Sequence, residues 1–124
     1  MASYSDARRV TDVLKPDYSS AEGCLKTIKD CEVLNQSDKR NNILHSSYQG
    51  RAIKALKAAK DNNIVLTEYF LQNGIRFSSS YCRSLVLLSD LVETHPTLLK
   101  CSIDLGTILH NMKQIRVICA ELGW

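Results

Sequence analysis

Apolar residues recur at spacings of three and four along most of this chain, a period that predicts α-helices. The first predicted helix runs from about Ser5 to Lys15 and stops before Pro16, because the residue preceding a proline avoids helical geometry. Ser19 and Glu22 have the spacing of a capping box and predict the start of a second helix. The apolar stripe of that helix holds Leu25, Ile28, Cys31 and Leu34.

Gly50 lies inside the next amphipathic run, from Ile43 to Ala59. Glycine lowers helix propensity by about 1 kcal/mol relative to alanine. The run therefore either breaks or bends near Ser46 to Gly50, or packs another backbone closely against the glycine. The sequence favours a break or bend.

The segment from Ile64 to Gln72 is apolar on nearly all sides, which fits either a buried strand or a buried helix. No second strand-like segment exists to pair with it, so we predict a buried helix. Asn73 and Gly74 then supply a left-handed C-terminal cap.

The last third of the chain predicts three further helices. Ser78 to Ser80 offer caps for a helix that ends at His95, and Pro96 suits the first turn of the next helix, which continues to Met112. The last helix ends at Gly123. The prediction is a single all-α domain of six or seven helices over residues 1–124, with possible sub-units 5–74 and 77–124. Its architecture is either a compact bundle or a right-handed, armadillo- or HEAT-like stack of helical hairpins.

Composition supports a folded chain: 44% of the 124 residues are hydrophobic and 23% are charged, which is ordinary for globular domains. The net charge of +3 is modest, but four basic residues follow Gly50 at intervals of three: Arg51, Lys54, Lys57 and Lys60. Such a stripe is usually a solvated helix face. Contact with nucleic acid phosphates through it is the alternative function.

The five cysteines are an odd number and lie mostly within apolar helical patterns, which is typical of buried thiols in a reducing compartment. Residues 1–10 contain Asp6 and two arginines and no apolar run, so they do not resemble a signal peptide. No run of eighteen apolar residues occurs, so no association with a membrane is expected. We expect an intracellular protein.

Few patterns suggest chemistry. The five glycines are scattered singly, which argues against a phosphate-binding loop and against a nucleotide cofactor. Cys101, His110 and Cys119 are nine residues apart in each step, which is not a metal-ligand spacing. Cys82, Asp90 and His95 could form a catalytic set only by chance of folding. We predict no catalytic, cofactor or metal site and no enzyme activity.

Protein interaction is the remaining class of function, because stacked helical hairpins leave grooves for a short motif or a partner helix. Five residues are candidate partner contacts: Phe77, Tyr81, Trp124, Tyr69 and Phe70. The alternative for most of them is the protein core. Trp124, which follows a glycine, either folds back on its own helix or meets a partner, such as a second copy in a homodimer.

Four segments resemble the small helical domain at the N-terminus of the elongation factor TFIIS, with related domains in Mediator and in an integrase-binding chromatin factor. They are Arg8 to Leu14, Cys24 to Cys31, Ile43 to Leu56 around Gly50, and Ile64 to Leu71. The resemblance covers residues 5–74. It implies binding of short disordered motifs from transcription and chromatin proteins, and it favours the nucleus over the cytoplasm.

Overall fold

A computed structural model describes residues 15–37, 41–59 and 66–124. These residues form only helices, which confirms the all-α prediction. In chain order the elements are α1 (Ala21–Ser37), α2 (Asn42–Ala59), α3 (Leu66–Gln72), α4 (Ser79–Thr94), a 3₁₀ helix (Pro96–Lys100), α5 (Leu105–His110) and α6 (Met112–Leu122). The helix predicted from Ser5 falls, apart from Lys15, outside the described residues.

The N-terminal cap of α1 is Ser20 and not the predicted Ser19. The Ser20 hydroxyl accepts a hydrogen bond from the Gly23 N–H at 3.0 Å. The Ser19 hydroxyl donates instead to the Asp17 carboxylate at 2.6 Å. The predicted cap of α4 is confirmed, since the Ser78 side chain accepts from a backbone N–H of the first turn.

Helix α2 is continuous across Gly50, so the predicted break is wrong. A Cβ atom at Gly50 would overlap the backbone carbonyl oxygen of Leu85 in α4 and would lie 3.0 Å from the Ser89 Cβ. The glycine therefore allows two helix backbones to approach closely. Packing against α4 outweighs the unfavourable local propensity of one residue.

Helix α2 lies between α1 and α4. The Asn35 side chain donates to the Ser46 hydroxyl at 3.3 Å, and the Gln49 side chain donates to the Ile28 carbonyl at 3.0 Å. Residue numbers rise along α2 as they fall along α1, so these helices are antiparallel. Helices α2 and α4 are also antiparallel, because residue numbers fall along α4 as they rise along α2 in the ion pairs described below.

Two apolar clusters form the core. The first joins α1, α2, α3 and the N-terminal half of α4, and therefore draws on both sides of the boundary between residues 74 and 77. The second joins the C-terminal half of α4 to the segments that follow it, and Ile43 of α2 extends into it. Leu85 and Leu88, one turn apart on α4, are fully buried in the first and second clusters respectively.

The predicted cap after α3 is confirmed. Gly74 has φ +79°, its N–H donates to the Leu71 carbonyl at 3.2 Å, and the Ile75 N–H donates to the Phe70 carbonyl at 2.8 Å. This pair of bonds is a Schellman motif, and Ile75 and Phe70 are both buried in the first cluster, as the motif favours. The helix is not buried on all sides, however, because the Leu71 side chain is exposed.

The prediction of one continuous helix from Pro96 to Met112 is wrong. A 3₁₀ helix ends at Lys100, and Cys101 is extended, with φ −87° and ψ 149°. The Asp104 side chain then accepts from the Thr107 N–H at 3.3 Å and starts α5 as an N-terminal cap. A short polar side chain that bonds the backbone locally favours a new helix start over a continuous helix.

Candidate interaction surface

Four of the five predicted contact residues lie side by side in an aromatic row. The ring centroids of Tyr69 and Phe70 are 6.4 Å apart, and those of Phe70 and Phe77 are 6.3 Å apart. Phe77 and Tyr81 are closest, at 4.9 Å, with ring planes at 76°. Edge-to-face contacts of this kind are favourable beyond the area they bury.

The row runs from the core to the surface. Phe70 is fully buried at 0% exposure, so its ring packs the core and is not presented to a partner. Tyr69, Phe77 and Tyr81 are half-buried against the first cluster. Burial raises the pKa of the Tyr81 hydroxyl, and the nearby Glu32 carboxylate raises it further.

A groove lies between α1 and the segment that joins α3 to α4, and we call it the α1 groove. Its volume is about 250 Å³. It is lined by Ile28, Lys29, Glu32, Val33, Gln36, Gly74, Ile75, Arg76 and Phe77. Ile28 and Ile75 are buried, whereas the Val33 side chain is 61% exposed. The groove therefore has two buried apolar residues in its lining and one apolar side chain that is exposed to water.

Three charged side chains also line the α1 groove. Lys29 and Arg76 are exposed, and neither forms an ion pair with any residue that the structure describes. Glu32 is half-buried, and its carboxylate accepts a long hydrogen bond of 3.5 Å from the Gln49 side chain. The two exposed cations outnumber the single carboxylate.

Trp124 lies away from the aromatic row and packs against the second cluster. Gly123 has φ +70°, and the Trp124 N–H donates to the Cys119 carbonyl at 2.9 Å. The Trp124 carbonyl oxygen accepts from the His95 Nδ1 at 2.6 Å, which requires a proton on that nitrogen. Of the two predicted alternatives, the structure shows Trp124 folded back on its own helix.

Acidic residues of α4 neutralise part of the predicted basic stripe. The Lys54 ammonium is 3.0 Å from an Asp90 carboxylate oxygen. The Arg51 guanidinium is 3.9 Å from a Glu93 carboxylate oxygen. All four side chains are at least 43% exposed, so each pair contributes little to stability, but it does reduce the positive potential of this face.

Two basic positions of the stripe lie beyond these ion pairs. Lys57 is exposed, and Lys60 lies outside the residues that the structure describes. The Arg51 guanidinium carbon is 6.0 Å from the centroid of the Tyr18 ring, close enough for a cation–π contact. Burial raises the pKa of the Tyr18 hydroxyl to about 12.

The cysteines have the electrostatics of core residues. Burial raises the pKa of Cys31 to about 12 and also raises the pKa values of Cys24, Cys82 and Cys119. Such thiols stay protonated at neutral pH and are poor nucleophiles. Cys82 and Asp90 are eight residues apart on α4, about 12 Å along the helix axis, so the conceivable catalytic set does not assemble.

Metal-ligand clusters and membrane-spanning helices are both missing from the described residues. No three side chains of His, Cys, Asp or Glu in residues 15–37, 41–59 and 66–124 are grouped so that they could hold a metal ion. Within the same residues, no helix combines the length and the apolar character needed to cross a bilayer.

A wider depression, of about 600 Å³, lies between the start of α2 and residues 99–105. Its lining is rich in polar side chains, including Asn41, Asn42, Lys100 and Asp104. Residues 38–40, which precede it in the chain, lie outside the described residues. The α1 groove is the better candidate for binding an apolar anchor, because a larger share of its exposed lining is apolar.

Sequence reasoning identified Phe77 but missed Val33. The available signal was position: Val33 lies in the second predicted helix but off the stripe formed by Leu25, Ile28 and Cys31. An apolar residue on the polar side of a helix predicts an exposed apolar side chain.

No protein-family model matches the chain, and no curated protein or solved structure matches it either.

Proposed function

We propose that this chain is a non-enzymatic protein interaction module, acting as an adaptor or a complex subunit. It binds a short linear motif or a partner helix in the α1 groove. The observation that carries the proposal is the 61% exposure of Val33 beside half-buried Phe77, above buried Ile28 and Ile75. A partner that covers Val33 and Phe77 gains the free energy of removing apolar surface from water.

The size of the groove favours a side-chain anchor over a small-molecule ligand. Its volume of about 250 Å³ is below the ~300–1,000 Å³ of most small-molecule sites. Apolar anchors from a partner segment commonly occupy grooves beside a helix. Lys29 and Arg76 at the rim would fix the orientation of the segment more than they would add affinity.

The resemblance to the TFIIS-type helical domain supports the same class of function, and with it a nuclear location. The antiparallel order of α1, α2 and α4 is compatible with an armadillo- or HEAT-like stack. We propose that architecture as the framework of the module, with residues 1–124 as one domain.

Binding of nucleic acid through the basic stripe has less support. Arg51 and Lys54 are paired with Glu93 and Asp90, so a phosphate would have to compete with a carboxylate at each position. Affinity for nucleic acid depends mainly on cations that are free to release counterions from phosphates.

The test compares two charge insertions at exposed apolar positions. Val33→Glu places a carboxylate in the α1 groove, and Leu87→Glu places one on α4, where the side chain is 39% exposed. Each tagged chain is expressed in cells, covalently cross-linked to its neighbours and purified, and the attached proteins are identified. We expect one or more specific partners that the Leu87→Glu chain retains and the Val33→Glu chain loses.

Thermal unfolding of both variants provides the control, since exposed substitutions should leave stability within about 0.5 kcal/mol of the parent chain. The proposal fails if both variants retain the same set of partners, because the α1 groove would then play no part in their binding.

A further inference from the structure

Helix α6 carries more of the exposed large apolar side chains than any other described element. Val117, Ile118 and Leu122 are 53%, 48% and 57% exposed. They are three of the seven exposed large apolar side chains among the described residues, and the other four are spread over α1, α3, α4 and the 3₁₀ helix. Exposed apolar residues grouped on one short helix indicate a contact surface.

The exposed residues share one face of α6. Spacings of three and four along an α-helix place side chains on the same side. Five residues of α6 follow this spacing and define what we call the outer face: Gln114, Val117, Ile118, Glu121 and Leu122. Ile115 and Cys119 of the same helix are buried and hold α6 on the second cluster, so the outer face is available for a partner.

We infer that two copies of this chain associate through their outer faces, with the two α6 helices antiparallel. A two-fold contact requires a surface that is complementary to itself when reversed. Gln114 and Glu121 lie at equal distances, three and a half residues, on either side of the midpoint between Val117 and Ile118. An antiparallel partner centred on this midpoint places its Glu121 opposite Gln114 and its Val117 opposite Ile118. It also places its Leu122 opposite Lys113, whose alkyl stem can cover the leucine while the ammonium stays in water.

This arrangement is chemically complementary at both ends. The Gln114 amide donates a hydrogen bond to the carboxylate of the partner's Glu121, and symmetry repeats this contact. Both side chains are exposed, and neither has a hydrogen bond or an ion pair within the described part of the chain. Lys113 adds a positive charge at the same end as Gln114, and antiparallel helices also align their dipoles favourably.

The first experiment measures oligomeric state by sedimentation velocity of the intact chain. The contact is one helix of eleven residues per copy, so it belongs with the small, weak interfaces. We expect monomer at about 5 µM and a substantial fraction of dimer at about 500 µM, as for weak interfaces of this size. A chain that stays monomeric at the highest concentration overturns the inference.

The second experiment exchanges the complementary pair. The Gln114→Glu variant places two carboxylates opposite each other at each end of the contact. Their repulsion should raise the dimer dissociation constant roughly two- to fivefold. The double variant Gln114→Glu, Glu121→Gln restores one donor and one acceptor at each end and should recover the parent dissociation constant. A double variant no better than Gln114→Glu alone excludes the antiparallel pairing.

Two single variants locate the interface. Ile118→Glu should abolish the dimer at every concentration tested, because it buries two unpaired carboxylates near the two-fold axis. Val33→Glu, whose position is also exposed but lies on α1, should leave the dimer unchanged. If Val33→Glu dissociates the dimer and Ile118→Glu does not, the copies meet at the α1 groove and the inference fails.

Discussion

Replacing Gly50 by alanine tests the contact between α2 and α4 directly. The added Cβ would overlap the Leu85 carbonyl oxygen, and a backbone atom cannot rotate away as the end of a side chain can. The two helices must therefore move apart along a contact whose neighbouring side chains, Ile53, Leu56 and Leu88, are fully buried. Even a gap of ~0.5–1 Å forfeits a quarter to a half of the dispersion attraction between facing atoms.

Two opposing terms set the magnitude. Alanine gains about 1 kcal/mol over glycine in intrinsic helix propensity. Overpacking of a tight core contact typically costs about 1–3 kcal/mol, and the rigid partner atom places Gly50→Ala at or beyond the upper end of that range. We expect a net destabilisation of about 2 kcal/mol, which corresponds to a fall in Tm of roughly 8 °C for a domain of this size.

The assay is urea and thermal unfolding followed by far-ultraviolet circular dichroism. Gly106→Ala serves as the matched control, because its Cβ would meet only the end of the Asp104 side chain, at 3.0 Å. That carboxylate oxygen also caps α5, so a weakened cap offsets the gain in helix propensity, and the variant should stay within about 1 kcal/mol of the parent chain. If Gly50→Ala is as stable as the parent chain, helix propensity outweighs the contact, and the close approach of α2 and α4 is not what requires a glycine.

Two further predictions concern buried residues. Phe70→Ala should destabilise the fold by about 3–5 kcal/mol, whereas Leu71→Ala, at a side chain that is 60% exposed, should change stability by less than about 0.5 kcal/mol; urea unfolding measures both. The free energy of unfolding should also fall as pH rises above 9. Burial raises the pKa of Cys31 from 9.0 to about 12, so above pH 9 the folded state binds more protons than the unfolded state. Urea titrations between pH 8 and 10.5 measure that slope, and Cys31→Ala should reduce it; an equal slope in the variant would assign the effect to other groups.

Helix positions and several caps followed from local signals. The cap at Gly74 was predictable because a C-terminal cap requires one left-handed residue, and Asn-Gly after an apolar run supplies it. The end of α4 before Pro96 was predictable because proline restricts the residue that precedes it. The Asp104 cap was missed because the apolar spacing continues past it, and a pattern of spacing does not register a local hydrogen bond.

The interaction surface was predicted only in part. Aromatic composition identified Phe77 and Tyr81, but the same reasoning included Phe70, which is fully buried. The basic stripe was visible in the sequence, whereas its pairing with α4 depends on residues about forty positions away. The exposure of Val33 and of the outer face of α6 also depends on which helices cover which sides.

The sequence by itself determined that this chain is helical, where most of its helices begin and end, and which residues are apolar enough to form a core. These properties depend on residues within a few positions of each other, since helix periodicity and capping are local. Only the tertiary structure decided that Gly50 joins two helices instead of breaking one, and that Arg51 and Lys54 are neutralised. It also decided that Val33, Val117 and Ile118 remain uncovered. Each of these outcomes depends on contacts between segments distant in the chain, which no local pattern specifies.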